Sequence, residues 1–284
     1  MPIAQLISPH ALNERQARPG LVILDCRFAL EDPEYGHSSF AEGHIGGAQF
    51  ADLERDLSGP VTKGVTGRHP LPDAQILLEQ LRAWGINPDS DVVLYDDGPG
   101  AFAARAWWLL AWLGKRDGVF ILDGGLKAWH AAGFKLSTDQ SVTLPGTFTG
   151  QPDSQLLVSA EQLQARLGQP ALTLIDARAK PRFSGDVEPI DPIAGHIPGA
   201  QCAAFNENLD STGRFLPAEQ LKQRFAEQLA GRSPEELVAY CGSGVTACHN
   251  LFALGLAGYP LGKLYAGSWS EWINDPARGV ATGE

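Results

Sequence analysis

The sequence predicts an α/β protein built from two similar domains, each with a parallel sheet flanked by helices on both faces. Three observations lead to this prediction. The second half of the chain repeats segments of the first half, short apolar runs are typical of buried parallel strands, and amphipathic segments lie between these runs. A chain of 284 residues is also long enough for two domains of ordinary size.

The repeat is long, so it indicates a duplicated domain rather than a solenoid of short units. Asp176 follows Asp25 by 151 residues, and His196 follows His44 by 152 residues. Four pairs of segments make up the repeat: LVILDCR (21–27) with LTLIDAR (172–178), AEGHIGGAQF (41–50) with IAGHIPGAQC (193–202), VVLYDDG (92–98) with LVAYCGS (237–243), and DGGLKAW (123–129) with AGSWSEW (266–272). We therefore expect the main elements of one domain to return in the other.

The strands are predicted from apolar runs without polar alternation, which is typical of strands covered on both faces. These runs are LVIL (21–24), DVVLY (91–95), VFIL (119–122), LTLI (172–175) and LVAY (237–240). Amphipathic patterns predict helices in DAQILLEQLRAWG (73–85) and PAEQLKQRFAEQL (217–229). Strands that alternate with helices indicate a parallel sheet in each half.

One stretch between the two repeats is rich in Ser, Thr, Gly and Pro, which is typical of a linker. It is STDQSVTLPGTFTGQPD, from Ser137 to Asp153. We place the domain boundary near Gly150, so that residues 1–150 form the first domain with the linker and residues 151–284 form the second.

Composition and charge argue against several classes of protein. Hydrophobic residues make up 44% of the chain and charged residues 19%, a globular balance that argues against disorder. A net charge of -11 argues against nucleic acid or an anionic membrane as a partner. The longest apolar block, residues 107–113, is far shorter than the ~20 residues that span a bilayer.

Cysteine usage indicates a reducing compartment. Four cysteines in a chain of this length, Cys26, Cys202, Cys241 and Cys248, are too few for a disulfide scaffold. The first residues have no basic start followed by an apolar run, which is the pattern of a secretory signal. We therefore expect a cytoplasmic protein.

Residues present in both halves are expected to serve the fold, whereas a feature of one half is a candidate for function. Six polar residues are shared and are expected to satisfy backbone groups and each other: Asp25, Arg27 and His44 in the first half, and Asp176, Arg178 and His196 in the second. The halves differ after the strand tyrosine, where the first has Asp96 and the second has Cys241. Since only the second half has a nucleophile there, we expect the first domain to be catalytically inactive.

Cys241 stands between a predicted strand and a predicted helix, in the loop CGSGVT (241–246). Ligands of parallel α/β domains bind at the carboxyl ends of strands, where the following helix points its amino end. Gly242 and Gly244 let the loop curl with several N–H groups inward, which favours the thiolate over the thiol. Ser243 and Thr246 add hydroxyl donors. These features predict that Cys241 is an activated nucleophile.

A buried, inert cysteine before a glycine turn is the simplest alternative to an activated nucleophile in this loop. A dinucleotide site is a second alternative, since GSGVTA (242–247) formally fits the pattern, but the acidic strand end expected about 20 residues on is lacking. A cysteine phosphatase needs an arginine where Ala247 stands. Cys241, Cys248 and His249 lack zinc-ligand spacing, and Cys248 is expected in the core of a helix.

These segments resemble the tandem rhodanese-domain sulfurtransferases, a family that includes thiosulfate and 3-mercaptopyruvate sulfurtransferases. The resemblance covers nearly the whole chain through the doubled D-x-R and GHI-x-GA elements, ARAWWLL (104–110), CGSGVTAC (241–248) and YAGSWSEW (265–272). The loop resembles the mercaptopyruvate branch, because the thiosulfate branch tends to have basic residues there. A non-catalytic binding protein of the same fold is the alternative, and a reactive thiolate argues against it.

The resemblance implies sulfur transfer in two steps, without a metal or an organic cofactor. The Cys241 thiolate attacks the sulfur of 3-mercaptopyruvate, or alternatively of thiosulfate, and the persulfide then passes its outer sulfur to cyanide, a thiol or thioredoxin. In the mercaptopyruvate branch a loop serine acts with a histidine and an acid of the inactive domain. These correspond to Ser243, to His69 in RHPLP and to Glu54 in FADLER, where the family usually has aspartate.

The resemblance also implies residues that bind the donor. Arg182 in KPRFSG corresponds to an arginine that binds the substrate carboxylate, for which a guanidinium is well suited. Arg105 is expected to face the same cleft or to form a salt bridge within the fold. A second arginine of the mercaptopyruvate pattern is missing from VEPIDPIAGH (187–196), which has aspartate and isoleucine instead. The loop residues expected to line the donor site are Gly242, Gly244, Val245 and Thr246.

Overall fold

The first half of the chain forms one parallel sheet of five strands. The computed structural model describes residues 3–141 and 143–283. The strands are β1 (Gln5–Ile7), β2 (Leu21–Asp25), β3 (Ala48–Phe50), β4 (Asp91–Tyr95) and β5 (Val119–Leu122), and the helices are α1 (Pro9–Arg15), α2 (Tyr35–Glu42), α3 (Ala74–Ala83), α4 (Ala101–Trp112) and α5 (Gly125–Ala131). The spatial order of the strands is β1-β5-β4-β2-β3, and every pairing is parallel.

Helices cover both faces of this sheet, as the sequence predicts. Ile23 and Val93 point to one face, where they pack with α1 and α5. Val22 and Val92 point to the other face, where they pack with α3 and α4. Successive residues of a strand point to opposite faces, so the continuous apolar runs follow from burial on both sides.

The second half repeats this arrangement with a smaller parallel sheet. Its strands are β6 (Thr173–Asp176), β7 (Gln201–Cys202), β8 (Leu237–Tyr240) and β9 (Lys263–Leu264), and its helices are α6 (Ala160–Gln164), α7 (Lys180–Ser184), α8 (Ala218–Leu229), α9 (Thr246–Leu256) and α10 (Ser268–Trp272). The order is β7-β6-β8-β9, and all pairings are parallel. The core contacts place α6 and α10 on one face and α8 and α9 on the other. The predicted fold class is confirmed.

The two halves share one hydrophobic core, which passes through α4 and α9. Nearly every residue of α4 is buried, including Trp107 and Trp108. The rings of Trp107 and Phe252 meet edge to face, with their centres 5.0 Å apart. A helix that is apolar on all sides must be covered on all sides, and α9 of the second half supplies the missing cover. The packing of these two helices fixes how the two sheets face each other.

The predicted linker packs along the first half. Phe148 is buried and its N–H donates to the carbonyl of Ile86 at 3.0 Å, while the Asp153 N–H donates to the carbonyl of Trp112 at 2.9 Å. Val142, inside this segment, lies outside the described residues. The boundary between residues 150 and 151 remains a prediction. No helix within the described ranges is both long and apolar enough to cross a membrane.

The residues shared by both halves have structural roles, as predicted. Arg27 and Arg178 each donate to the aspartate two positions earlier, with Nη2 to Oδ2 distances of 2.6 Å in both halves. The same nitrogen atoms also donate to the carbonyl oxygens of Gly43 and Gly195. These bonds tie each strand end to the turn that carries His44 or His196.

Candidate active site at the Cys241 loop

The site begins where β8 ends. All four residues of β8 are buried, Cys241 follows directly, and α9 begins at Thr246. The Cys241 Sγ accepts hydrogen bonds from the backbone N–H groups of Ser243, at 3.4 Å, and Gly244, at 3.1 Å. Backbone amides that converge on one atom form a site suited to negative charge. The structure therefore places the sulfur in the amide nest that the glycines suggest.

The backbone of this loop is held by the turn that precedes α10 and by the first residues of α10. Gly244 has φ of 78°, and a Cβ atom there would lie 2.3 Å from the carbonyl oxygen of Ala266, so only glycine fits. The Cys241 N–H donates to Ser268 Oγ at 3.1 Å, and its carbonyl accepts from the Trp269 N–H at 2.9 Å. The curl of the loop is thus set by the fold as well as by its own residues.

The equivalent loop of the first half has Asp96 where the second half has Cys241. The Asp96 carboxylate accepts four backbone N–H groups at 2.9 to 3.3 Å, from Gly98, Gly100, Phe102 and Ala103. Burial raises the pKa of Asp96, and the amide bonds oppose that effect. A nest of amides is therefore present in both halves, and in the first half the carboxyl group of Asp96 fills it.

Ser243 and His69 form a buried pair across the two halves. His69 Nδ1 lies 2.8 Å from Ser243 Oγ. Burial, with smaller effects from Arg105 and Arg68, lowers the pKa of His69 to about 3. The imidazole is therefore neutral near pH 7, and a neutral imidazole can accept a proton from a hydroxyl. The structure brings together the serine and the histidine that the sequence suggests.

Glu54 does not join this pair in the structure. The Asp52 carboxylate accepts the N–H groups of Glu54, at 2.8 Å, and Arg55, at 3.0 Å, and this turn leaves the Glu54 side chain exposed. Within residues 3–141 and 143–283, no hydrogen bond or ion pair connects the Glu54 carboxylate to His69. The catalytic role of Glu54 remains a prediction without geometric support.

Arg105 holds the site together and does not face an open cleft. Its guanidinium is 0% exposed. It donates to the carbonyl oxygens of Leu57, His69 and Pro70 in the first half, and to that of Gly244 in the second at 3.1 Å. The side chain fixes the segment that carries His69 against the Cys241 loop. The predicted contact of Arg105 with the donor remains a prediction without geometric support.

Two arginines flank the loop beside Cys241. A Cβ atom built on Gly242 would lie 3.6 Å from Nη2 of Arg182 and 2.9 Å from Nη2 of Arg68. Arg182 is the predicted carboxylate-binding residue, and it is paired with Glu188 at 2.8 Å and Asp191 at 3.1 Å. Sequence reasoning missed Arg68, although it directly precedes His69, because no spacing rule relates residue 68 to residue 242.

The remaining loop residues are placed at the start of α9. Val245 is buried next to the first turn, and Thr246 is half-buried at the first helical position. Their roles in donor binding remain predictions. Cys248 is buried in α9, and burial raises its pKa to about 12, so it stays a thiol. The prediction that Cys248 belongs to the core is confirmed.

Comparison with known proteins agrees with this geometry. A model of the rhodanese-like domain matches residues 8–132 and again residues 159–275. A probable 3-mercaptopyruvate sulfurtransferase of Pseudomonas aeruginosa is 69% identical over 284 residues, which is 100% of both chains. A putative thiosulfate sulfurtransferase of Mycobacterium tuberculosis is 41% identical over 94% of this chain and 93% of its own.

Solved structures give the same result for the fold. A 3-mercaptopyruvate sulfurtransferase from Leishmania major has a TM-score of 0.83 and 30% identity, over 96% of this chain and 75% of that one. SseA from Escherichia coli, described as a 3-mercaptopyruvate sulfotransferase, has a TM-score of 0.79 and 32% identity, over 94% of this chain and 100% of that one. Since both halves match the domain model and full-length relatives share this identity, the chain belongs to the rhodanese family and has two rhodanese-like domains in tandem.

Proposed function

We propose that the protein is a sulfurtransferase that carries sulfur as a persulfide on Cys241 and takes it from 3-mercaptopyruvate. One observation carries the proposal: the Cys241 sulfur accepts two backbone N–H groups within a loop whose Ser243 hydroxyl contacts the neutral His69. Amides that stabilise a thiolate also stabilise the terminal sulfur anion of a persulfide. The site therefore supports both states that sulfur transfer requires.

The reaction proceeds in two displacements. The Cys241 thiolate attacks the thiol sulfur of 3-mercaptopyruvate, a sulfur–sulfur bond forms, and the carbon–sulfur bond breaks. Its electron pair leaves with the pyruvate enolate. His69 accepts the donor's thiol proton through Ser243 Oγ and returns it to the enolate carbon, which gives pyruvate and a persulfide anion. Cyanide or a thiolate then attacks the outer sulfur, and Cys241 leaves as the thiolate.

The donor is proposed from the charge of the site. The loop from Gly242 to Thr246 has no basic residue, and the two nearby arginines are paired with carboxylates. Such a site suits a donor with one negative charge better than the thiosulfate dianion. The relative that is 69% identical is named for 3-mercaptopyruvate, whereas the relative that is 41% identical is named for thiosulfate. Thiosulfate is therefore the alternative donor.

The donor is tested by measuring both products with cyanide as the acceptor. We expect pyruvate release from 3-mercaptopyruvate to exceed sulfite release from thiosulfate in kcat/KM by about tenfold or more. Faster sulfite release would make thiosulfate the donor and leave the persulfide chemistry in place. No turnover of either donor would contradict the proposal and favour a binding protein.

The acceptor is proposed by class only. A small thiol or the exposed thiol of a protein such as thioredoxin fits the second displacement, because either supplies a thiolate that attacks the outer sulfur. All four cysteines are free thiols in the structure. A reducing compartment keeps a nucleophilic thiol free for reaction, so we propose that the protein works in the cytoplasm.

The pH dependence of the reaction tests the role of His69. Because the pKa of His69 is about 3, lowered by burial first, the imidazole stays neutral from about pH 5 to about pH 8. We expect kcat/KM for 3-mercaptopyruvate to show no step near the ordinary histidine pKa of about 6.5. His69→Gln should lower kcat/KM by about a hundredfold at every pH in that range.

The exposed His130 at the end of α5 provides the control, and His130→Gln should match the wild type. A step near pH 6.5 that is present in the wild type and absent from His69→Gln would show that His69 titrates there, against the prediction.

A further inference from the structure

We infer that Arg68 is the second guanidinium that binds the carboxylate of the donor, together with Arg182, and that Asp191 between them limits the site to donors with one negative charge. The inference rests on the proposed function, because it assumes an anionic sulfur donor at Cys241. It gives a specificity role to three residues from two different domains.

Both guanidinium groups approach the residue that follows Cys241. Nη2 of Arg68 lies 2.9 Å from the position of a Cβ atom on Gly242, and Nη1 and Nη2 of Arg182 lie 3.7 and 3.6 Å from it. The Arg68 and Arg182 side chains are 27% and 18% exposed, so a small anion in the cleft can reach them. Two guanidinium groups beside one loop provide the planar donors that a carboxylate prefers.

The backbone of Arg68 is fixed where the two domains meet. Its N–H donates to Ser270 Oγ at 3.0 Å, and a Cβ atom on Gly67 would lie 2.4 Å from the carbonyl oxygen of Gly267. Arg105 holds the next residue through the carbonyl of His69 at 3.2 Å. The position of Arg68 is therefore set by the same contacts that set His69.

Arg68 still has hydrogen-bonding capacity for a ligand. Its Nη1 donates to Asp191 Oδ1, which orients the guanidinium. Its Nε is buried, and no acceptor for it exists among the described residues. A buried donor without a partner costs free energy, and an incoming carboxylate can remove that cost. Asp191 thus orients Arg68, and the Nε of Arg68 can still donate to the carboxylate of the sulfur donor.

The charges of the cluster add up to zero. Arg68, Arg178 and Arg182 carry three positive charges, and their partners Asp176, Glu188 and Asp191 carry three negative charges. A carboxylate of the donor must therefore share the guanidinium groups with Asp191, and a second negative charge on the donor adds further repulsion. The missing arginine in residues 187–196 is thus replaced from the first domain, and the aspartate of that segment holds the replacement.

The two acids of the cluster differ in how firmly they stay charged. Burial raises the pKa of Asp191, although Arg68 and Arg182 oppose that effect. Burial acts on Glu188 as well, yet the bonds from Arg182 and from the N–H groups of Asp191 and Ile190 hold the pKa of Glu188 below its ordinary value. Asp191 is therefore the less strongly stabilised of the two carboxylates.

Steady-state kinetics of variants test the inference. Arg68→Gln should raise KM for 3-mercaptopyruvate about tenfold to a hundredfold with little change in kcat, because a hydrogen bond to a charged group is lost in ground state and transition state alike. Arg68→Lys should recover part of this loss. Asp191→Asn should raise the ratio of kcat/KM for thiosulfate to that for 3-mercaptopyruvate about tenfold. Arg18→Gln, in the exposed turn between α1 and β2, is the control for charge alone.

Binding of pyruvate separates this inference from the proposed function. In ligand-observed NMR, pyruvate should bind the wild type and Arg18→Gln but bind Arg68→Gln about tenfold more weakly, while uncharged pyruvamide should not distinguish the three proteins. If the wild type fails to turn over 3-mercaptopyruvate, the proposed donor is wrong, and the binding of pyruvate still tests whether Arg68 binds a carboxylate. Equal pyruvate affinity in the wild type and Arg68→Gln, or an unchanged donor ratio in Asp191→Asn, would overturn the inference.

Discussion

Cys241→Ser is expected to abolish sulfur transfer from 3-mercaptopyruvate and thiosulfate, with a fall in rate of about a thousandfold or more. A serine hydroxyl does not ionise near neutral pH and cannot hold sulfane sulfur, so neither displacement can occur. The variant should fold normally, because the amides of Ser243 and Gly244 can donate to the serine oxygen. Pyruvate release measures the loss of turnover, and the protein mass after exposure to the donor shows whether sulfur is still bound.

Cys202→Ser is the matched control for this experiment. Cys202 is the half-buried cysteine of β7, and its thiol lies 3.7 Å from the carbonyl oxygen of Arg178. We expect this variant to gain the mass of one sulfur atom on exposure to 3-mercaptopyruvate and to keep full activity. If Cys241→Ser also gained a sulfur atom, another cysteine would be the carrier and the assignment of Cys241 would be wrong.

Arg105→Met is expected to lower the free energy of unfolding by roughly 3 kcal/mol. The change removes the guanidinium donor from four backbone carbonyl oxygens. These belong to Leu57, His69, Pro70 and Gly244. A buried polar group without a partner costs more than the hydrogen bond itself contributed. The midpoint of urea unfolding measures the loss, since it shifts with stability when the slope is unchanged.

Arg55→Met tests whether loss of any arginine has this effect. The Arg55 side chain is 72% exposed, and we expect its replacement to change stability by less than about 0.5 kcal/mol. If Arg105→Met had wild-type stability and a raised KM for the donor, the result would support a contact between Arg105 and the donor. It would also contradict the structural role of Arg105.

The fold could be predicted in most of its main elements, because buried parallel strands leave a pattern in neighbouring residues. The five apolar runs are β2, β4, β5, β6 and β8, and the two amphipathic segments contain α3 and α8. The strands β1, β3, β7 and β9 were missed. Each has only two or three residues, and pairing with a longer neighbour defines such strands better than their own pattern does.

The site could be predicted less completely than the fold, because a sequence shows which side chains are present but not where they point. Glu54 is exposed, since Asp52 turns the chain outward. Arg105 points into the interface between the domains and contacts carbonyl oxygens there. Both residues fit their expected roles by type, but the local backbone and the packing of α4 give those roles no geometric support, so they remain predictions.

The sequence by itself determined the duplication, the difference between Asp96 and Cys241, and the amide nest, because each depends on residues that are adjacent in the chain or repeated within it. Only the tertiary structure decided the rest of the site. His69 lies 174 residues from Ser243, and Arg68 lies 123 residues from Asp191. No local pattern relates such residues, which meet because the apolar surfaces of α4 and α9 must be buried against each other.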